Sequence, residues 1–267
     1  MDNVSDIAAF YNGNVQSEHS RLQRHQLESD LTWRYLKRYL PASGAILEVG
    51  AATGSYTVGL TRLGYTVTAV DLSARLLETC RMRLAEAGVE NQARLVLADA
   101  RDLSAVVEKG FNAALLMGPL YHLVLEPDRR KALQEVYDRL TDGGVIFSAF
   151  ISRYGIMGDL LKKMPDWIER QNEVRSILDT GRDPDHQPDE GFRGYFARPD
   201  EIAPLHEALG FKTVALAAVE PAISADDESY NNLQGAQREL WLDLFDELST
   251  EQSIIGASRH LLYVGRK

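Results

Sequence analysis

The 267-residue chain has a single cysteine, Cys80, so no internal disulfide framework can staple it, and the composition fits a reducing compartment. Leu76, Leu77 and Leu84 share the helical face of Cys80, which makes the thiol a small core hydrophobe and not a nucleophile. No apolar run approaches the roughly 18 residues of a membrane-spanning helix, so no membrane partner is expected. Met1-Asp2-Asn3-Val4-Ser5-Asp6 lacks a basic region followed by an apolar stretch. The expectation is therefore no secretory signal and a cytoplasmic location. Positive charge is also scarce, with 29 Lys and Arg against 39 Asp and Glu, a formal net charge of −10. Arg129-Arg130-Lys131 and Lys162-Lys163 are only short basic runs, assigned to solvated helix faces. Without a basic footprint to neutralise phosphates, no nucleic-acid partner is expected. No Cys–His cluster has ligand spacing, which argues against a structural metal; a catalytic divalent ion held by carboxylates from separate loops stays open. Internal repeats and low-complexity tracts are missing too, and nothing in the sequence sets an oligomeric state.

What is present is one strongly alternating stretch. Between Ala45 and Phe150, short apolar runs (Ala45 to Val49, Thr66 to Val70, Arg94 to Ala98, Ala113 to Met117, Val145 to Phe150) alternate with amphipathic segments. Each run is too short for a helix and apolar on both faces, as strands are when helices cover both sides of a parallel sheet. Helical spacing joins Leu76, Leu77, Cys80 and Leu84, and again Leu133, Val136 and Leu140, where Asp142-Gly143-Gly144 is expected to stop the helix. Strand–helix alternation of this kind predicts an α/β fold with a doubly wound, mostly parallel, seven-stranded sheet. The remaining strands are expected at Lys212 to Val219 and His260 to Val264, with a helix near Leu240 to Leu248 between them.

Four segments follow from this pattern. Residues 1–44 form an N-terminal helical lid, with Leu27, Leu31, Tyr35, Leu36, Tyr39 and Leu40 as its apolar positions. Residues 45–150 are a nucleotide-type binding core. Residues 151–196 are a helical cap insertion for substrate, with a helix through Met157, Leu160, Leu161, Met164 and Trp167 and a polar loop through Asp183-Pro184-Asp185. Residues 197–267 return to the same α/β core.

The chemistry is concentrated at the strand ends. The first strand runs into Glu48-Val49-Gly50-Ala51-Ala52-Thr53-Gly54, a turn whose glycines let a ligand approach the backbone at the carboxyl edge of the sheet. The second ends at Asp71, followed by Leu72, where a carboxylate can accept hydrogen bonds from both hydroxyls of a ribose. The third ends at Asp99-Ala100, suited to the amine and ring nitrogen of an adenine. The fourth ends at Met117-Gly118-Pro119-Leu120-Tyr121-His122. Each acid alone also fits a helix cap, and the glycines alone a tight turn. Their joint placement on one edge favours ligand binding.

On these residues the chain resembles the class I S-adenosylmethionine-dependent methyltransferases, over residues 45 to 150 closely and Phe196 to Val219 more loosely. The resemblance implies S-adenosylmethionine as cofactor. Glu48, Gly50, Ala51, Ala52 and Gly54 match the family's acidic, glycine-rich first motif, with Ala52 in place of its usual middle glycine. Asp71 with Leu72 corresponds to the ribose-binding acid, Asp99-Ala100 to the adenine-binding pair, and Met117 to the fourth strand end. The lid is expected to close over the methionine end, with Tyr11 or one of Arg21 and Arg24 meeting the carboxylate. Tyr121 and His122 stand where family members place acceptor-facing groups, and His122 is the expected general base. A nicotinamide dehydrogenase is disfavoured because Gly50-Ala51-Ala52-Thr53-Gly54 lacks the G-x-G-x-x-G spacing. Adenine methylation is disfavoured because Gly118-Pro119-Leu120-Tyr121 lacks a leading Asp or Asn. The expected activity is methyl transfer to a small molecule. Alternatives are a methyltransferase of protein or RNA and a non-catalytic cofactor-binding module.

Overall fold

A computed structural model describes residues 2–183, 186, 192–221 and 226–267. One sheet organises it, in the order β3-β2-β1-β4-β5-β8-β7. Its strands are β1 (Ala45–Val49), β2 (Thr66–Asp71), β3 (Ala93–Leu97), β4 (Phe111–Leu116), β5 (Leu140–Ser152), β6 (Phe196–Ala197), β7 (Lys212–Ala218) and β8 (His260–Arg266). The first five are mutually parallel. β8 is inserted antiparallel between β5 and β7, and the two-residue β6 pairs β5 off the main path. The expected seven strands are thus present, with β6 added. Buried residues on the two faces form two apolar clusters, one around Leu47, Leu116 and Phe150, the other around Leu31, Ile46 and Phe147.

The order places two reversals, at β1/β4 and at β5/β8, and loops leave opposite faces of the sheet at β1/β4. Ligands of open α/β sheets settle outside the strand ends at such a switch point. Here the loops after β1, β2, β3 and β4 converge.

The helices supply the walls. The N-terminal segment, expected as a lid, is α1 (Ser5–Gly13), α2 (Val15–His19), α3 (Arg21–Arg24) and α4 (Gln26–Tyr39). In α4, Leu27, Leu31, Tyr35 and Leu36 are buried at core-facing spacing. Then come α5 (Ser55–Arg62), α6 (Ala74–Glu86), the short α7 (Pro119–His122) and α8 (Glu126–Tyr137). Ser73, not Asp71, caps α6: its hydroxyl accepts the Leu76 amide at 3.2 Å. Cys80 on α6 is free and fully buried, and burial pushes its thiol up to about 12.

One expected boundary is corrected. α8 stops at Tyr137, so Asp142-Gly143-Gly144 is not its end but lies inside β5. Gly143 adopts φ +76° there, and the β4–β5 register shifts between Phe111 and Ala113. The glycines therefore bend a strand, and backbone bonds between Gly143, Gly144 and Lys267 fasten the bend to β8.

The cap follows β5 as α9 (Met157–Lys163), a 3₁₀ turn at Pro165–Glu169 and a second helix, α10 (Gln171–Thr180), that the sequence pattern did not suggest. Pro184 and Asp185 of the expected polar loop lie outside the described residues. Ile151, Trp167, Val174, Ile177 and Phe196 tie the cap to Tyr121 in a separate apolar cluster. α11 (Pro199–Glu207), α12 (Asp227–Asn231), α13 (Gly235–Leu248) and α14 (Gln252–Ile255) complete the described chain. No helix among the described residues is long and apolar enough to cross a membrane.

Candidate active site

The four strand ends enclose a cavity of about 660 Å³. Gly50 and Ala52 line it after β1, Asp71 and Leu72 after β2, Asp99 and Ala100 after β3, and Met117 to Pro119 with Tyr121 and His122 after β4. The lid contributes Val4, Ile7, Tyr11 and Glu18. Most of the predicted binding residues are therefore gathered in one place.

Backbone geometry explains the approach at β1. Gly50 has φ +84°, and a Cβ there would come within 2.7 Å of Pro119 Cδ, closing the turn against α7. The amides of Gly50 and Ala51 both donate to Val70 O, which seats the turn on β2. Asp71 then locks it: Oδ2 accepts the Ala52 amide and Oδ1 the Ser73 amide, each at 2.8 Å. Burial pushes this carboxyl up to about 6, against the lowering effect of those two amide bonds. Each carboxylate oxygen retains a lone pair for a ligand hydroxyl. Asp99 is held by Arg101, whose Nε lies 3.0 and 3.1 Å from the two carboxylate oxygens, and Arg101 in turn reaches Asp128 at 2.7 Å. The acid is thus fixed in orientation and caps no helix of its own.

Three first-motif residues stand behind the cavity wall. Ala51 is buried in the core. Gly54 begins α5 in the left-handed region at φ +78°, with Cys80 Sγ only 2.4 Å from where its Cβ would be. Glu48 is buried and accepts the Thr57 hydroxyl at 2.6 Å. Desolvation pushes its carboxyl up to about 8, so the acid is largely neutral in the folded protein at pH 7.

Tyr11 and His122 meet across the cavity, with Tyr11 Oη 2.6 Å from His122 Nε2. His122 Nδ1 is 2.9 Å from the carbonyl of Arg193, which can only accept, so Nδ1 carries the proton and Nε2 accepts from Tyr11. Burial lowers this imidazole to about 4. Both nitrogens are occupied, and His122 acts here as a latch between α1 and α7. That is a correction to its expected role as a base facing the acceptor: no lone pair is left for a substrate proton. Tyr121 does face the cavity, and burial raises its phenol well above the ordinary value.

Arg24 is also corrected. It does not line the cavity but turns back along the lid, where its guanidinium bonds Ser17 O at 2.9 Å and the Ser20 hydroxyl. Arg21 and Arg24 are one turn apart on α3, so their partners and not helical phase separate them. Arg21 points inward, donating to both Glu28 oxygens at 2.9 and 3.0 Å.

The sequence reading passed over a second polar cluster beside the cavity, formed by Glu28, Glu220, Asp227, Arg259 and His260. One signal for it was available: Glu28 interrupts the apolar stripe of α4 between Leu27 and Leu31, and a buried acid at a core position needs a partner.

A doubly wound sheet that gathers Asp71, Asp99 and the Gly50 turn on one edge has the arrangement of nucleotide-binding α/β folds. Residues 46–144 match the family model described as a methyltransferase domain. The chain is 31% identical over 116 residues to a ubiquinone biosynthesis O-methyltransferase of Xanthomonas axonopodis pv. citri, covering 43% of this chain and 46% of that one. It is 31% identical over 128 residues to a glycine/sarcosine N-methyltransferase of Parasynechococcus marenigrum, covering 46% and 43%. The chain spans about half the length of these curated relatives. Among solved structures, an S-adenosylmethionine-dependent methyltransferase from Methanosarcina mazei superposes with TM-score 0.58 at 14% identity, over 87% of this chain and 96% of that one. The CcbJ methyltransferase from Streptomyces caelestis does so with TM-score 0.56 at 17% identity, over 90% and 88%. Residues 46–144 are thus similar to a methyltransferase domain, and the chain shares the fold of the class I S-adenosylmethionine-dependent methyltransferase superfamily. The cofactor of that superfamily is S-adenosylmethionine, and the paired acids beside a turn that admits no extra Cβ at Gly50 fit it.

Proposed function

We propose that the protein transfers the methyl group of S-adenosylmethionine to a small-molecule acceptor in the cytoplasm. The observation that carries this reading is the single cavity where Asp71, Asp99, Gly50 and Met117 converge under α1. In this reading Asp71, beside Leu72, holds the ribose hydroxyls, and Asp99 with Ala100 holds the adenine edge. Gly50 and Ala52 give backbone approach, while Glu48, Ala51 and Gly54 shape the turn from behind. Met117 and Tyr121 border the reacting end. Tyr11 closes the lid, latched by His122. When bound, the cofactor supplies an already activated methyl carbon, so the chain's task is to align the acceptor and exclude water. The cover of lid and cap suits a small acceptor better than a docked macromolecule, and the curated relatives with methyl acceptors in their names support that choice.

Calorimetric titration with S-adenosylmethionine and S-adenosylhomocysteine, beside Asp71→Ala, tests this. Micromolar binding, weakened at least tenfold in the variant, is expected. A folded wild-type protein that binds neither compound overturns the reading.

A further inference from the structure

Two further spaces lie beyond the cofactor cavity, only the first of them sharing lining residues with it. A narrow one of about 330 Å³ shares Met117 and Tyr121 with it and is bordered by Arg21, Glu28 and His260. A larger one of about 1190 Å³ lies under the cap and shares His260 with the narrow one. His260, the first residue of β8, therefore stands at the junction between the reacting end and the cap.

Its setting is that of an oriented imidazole. Nδ1 lies 2.8 Å from Glu220 Oε2, and Glu28 Oε2 is 3.6 Å away. Glu220 is 1% exposed and gripped by Arg259, whose Nε lies 3.1 and 3.0 Å from its two oxygens. Burial alone raises the Glu220 carboxyl, but His260 and Arg259 overcome this and hold it well below the usual carboxylate range. An ionised Glu220 accepts a hydrogen bond from Nδ1–H of His260, which leaves the lone pair of the neutral imidazole on Nε2. Among the described residues Nε2 has no hydrogen-bond partner and is not sealed from the cavity. This is the base geometry that His122 lacks: an acid fixes the tautomer and the other nitrogen faces open space. His25, Glu220 and Asp227, like Glu28, Glu220 and His260, have the spacing of metal ligands. The guanidinium groups of Arg259 and Arg21 already supply the positive charge there, so the cluster needs no ion.

The cap cavity selects the body of the ligand. Ile156, Leu160, Trp167, Ile177 and Phe196 give it apolar and aromatic walls. Its charges are already matched: Asp159 and Arg259 at 3.1 Å, Glu173 with Trp167 at 2.8 Å and with Arg170 at 3.4 Å, and Arg193 with Asp2 at 2.9 Å. No described cation in that list is spare for a carboxylate or a phosphate. A flat neutral ring suits these walls. An imidazole base suits a hydroxyl of pKa about 10, as in phenols, far better than an aliphatic one.

We propose that the cap cavity binds a phenol, with its hydroxyl hydrogen-bonded to Nε2 of His260, and that His260 is the general base for its methylation. This rests on the methyltransferase reading above. The phenol oxygen bonds to the donor methyl carbon while its proton passes to Nε2; the carbon–sulfur bond breaks and its electron pair remains on sulfur. Solvent later takes the proton from His260. The groups facing the imidazole are Glu28, Glu220, Arg21, Arg259 and the His25 ring 6.5 Å away. Burial lowers the imidazole, the two glutamates raise it, and the glutamates win. Turnover is therefore expected to rise with pH through a midpoint above 6.5.

The test uses the full chain with 4-ethylphenol, catechol, benzylamine and cyclohexanol as probes. Probe binding is measured calorimetrically in the presence of S-adenosylhomocysteine, and turnover as S-adenosylhomocysteine release. Phenols are expected to bind and turn over, whereas the amine and the alcohol do not. His260→Asn and His260→Gln are expected to keep cofactor affinity and phenol binding within about threefold, while kcat falls by roughly 10² or more. Glu220→Gln is expected to move the pH midpoint down. Cofactor binding without any phenol binding or turnover overturns this inference and leaves the methyltransferase reading standing; so does wild-type turnover by both His260 variants. Loss of cofactor binding in the wild-type protein is instead the failure of the parent reading.

Discussion

The backbone amide of Ala52 donates a 2.8 Å hydrogen bond to Oδ2 of Asp71, joining the ends of the first two strands. Ala52 makes that bond at φ +49°, among the described residues the only non-glycine in the left-handed region. An L side chain there costs on the order of 1–2 kcal/mol. The turn accepts that cost because Asp71 holds the amide in place.

Ala52→Gly removes the strain but loosens the unfolded chain by roughly 0.5–1 kcal/mol. The expected net effect is a gain of up to about 1 kcal/mol in urea unfolding, with cofactor affinity kept. A loss of more than 1 kcal/mol would show that the Ala52 methyl packs usefully.

Glu48 is pushed up to about 8 by burial, against an ordinary value of 4.5. Between those values the folded state keeps a proton that the unfolded state has lost. Stability attributable to Glu48 is therefore full below pH 4.5 and declines as pH rises through 8. Glu48→Gln, which can still accept the Thr57 hydroxyl, should gain stability relative to wild type at pH 8 and little at pH 5. Urea midpoints at the two pH values decide it; an equal gap at both contradicts the buried neutral acid.

The Tyr11–His122 contact fastens the lid, so Tyr11→Phe should loosen α1 without unfolding the core. A neutral hydrogen bond is worth about 0.5–1.5 kcal/mol, which corresponds to a rise in cofactor Kd of roughly two- to tenfold. Amide exchange over Ser5–Gly13 should quicken in parallel. Unchanged exchange there would mean the latch does not hold the lid.

Gly54→Ala combines two penalties, a left-handed φ of +78° and a Cβ 2.4 Å from Cys80 Sγ. Destabilisation of about 2–4 kcal/mol is expected. Adding Cys80→Ala should restore the steric share but not the backbone share, so a double-mutant cycle should give a favourable coupling. Strict additivity would place the whole cost in the backbone.

The parallel half of the sheet was legible in the sequence because β1, β2 and β4 are buried on both faces and read as unbroken apolar runs bounded by turns. Asp71 and Asp99 were legible because a strand end fixes where the next residue goes. The lid was not. Whether Arg21 or Arg24 faces inward depends on how short helices pack, which three or four residues of pattern do not encode. β8 was recognised as a strand, but its place between β5 and β7 is a long-range pairing with no local signal. For the same reason His260 could not be connected to Glu28 or Glu220, which lie far from it in sequence and meet only when the sheet closes.

The late position of β8 has a bearing on biosynthesis. A ribosome delivers β5 and β7 well before the strand that belongs between them. Until β8 emerges, both flanking strands present unpaired edges, and the methyl-donor half of the molecule can form while the cap side stays open. Before that strand emerges the nascent chain has no finished sheet, and its open edges are exposed to edge-to-edge association.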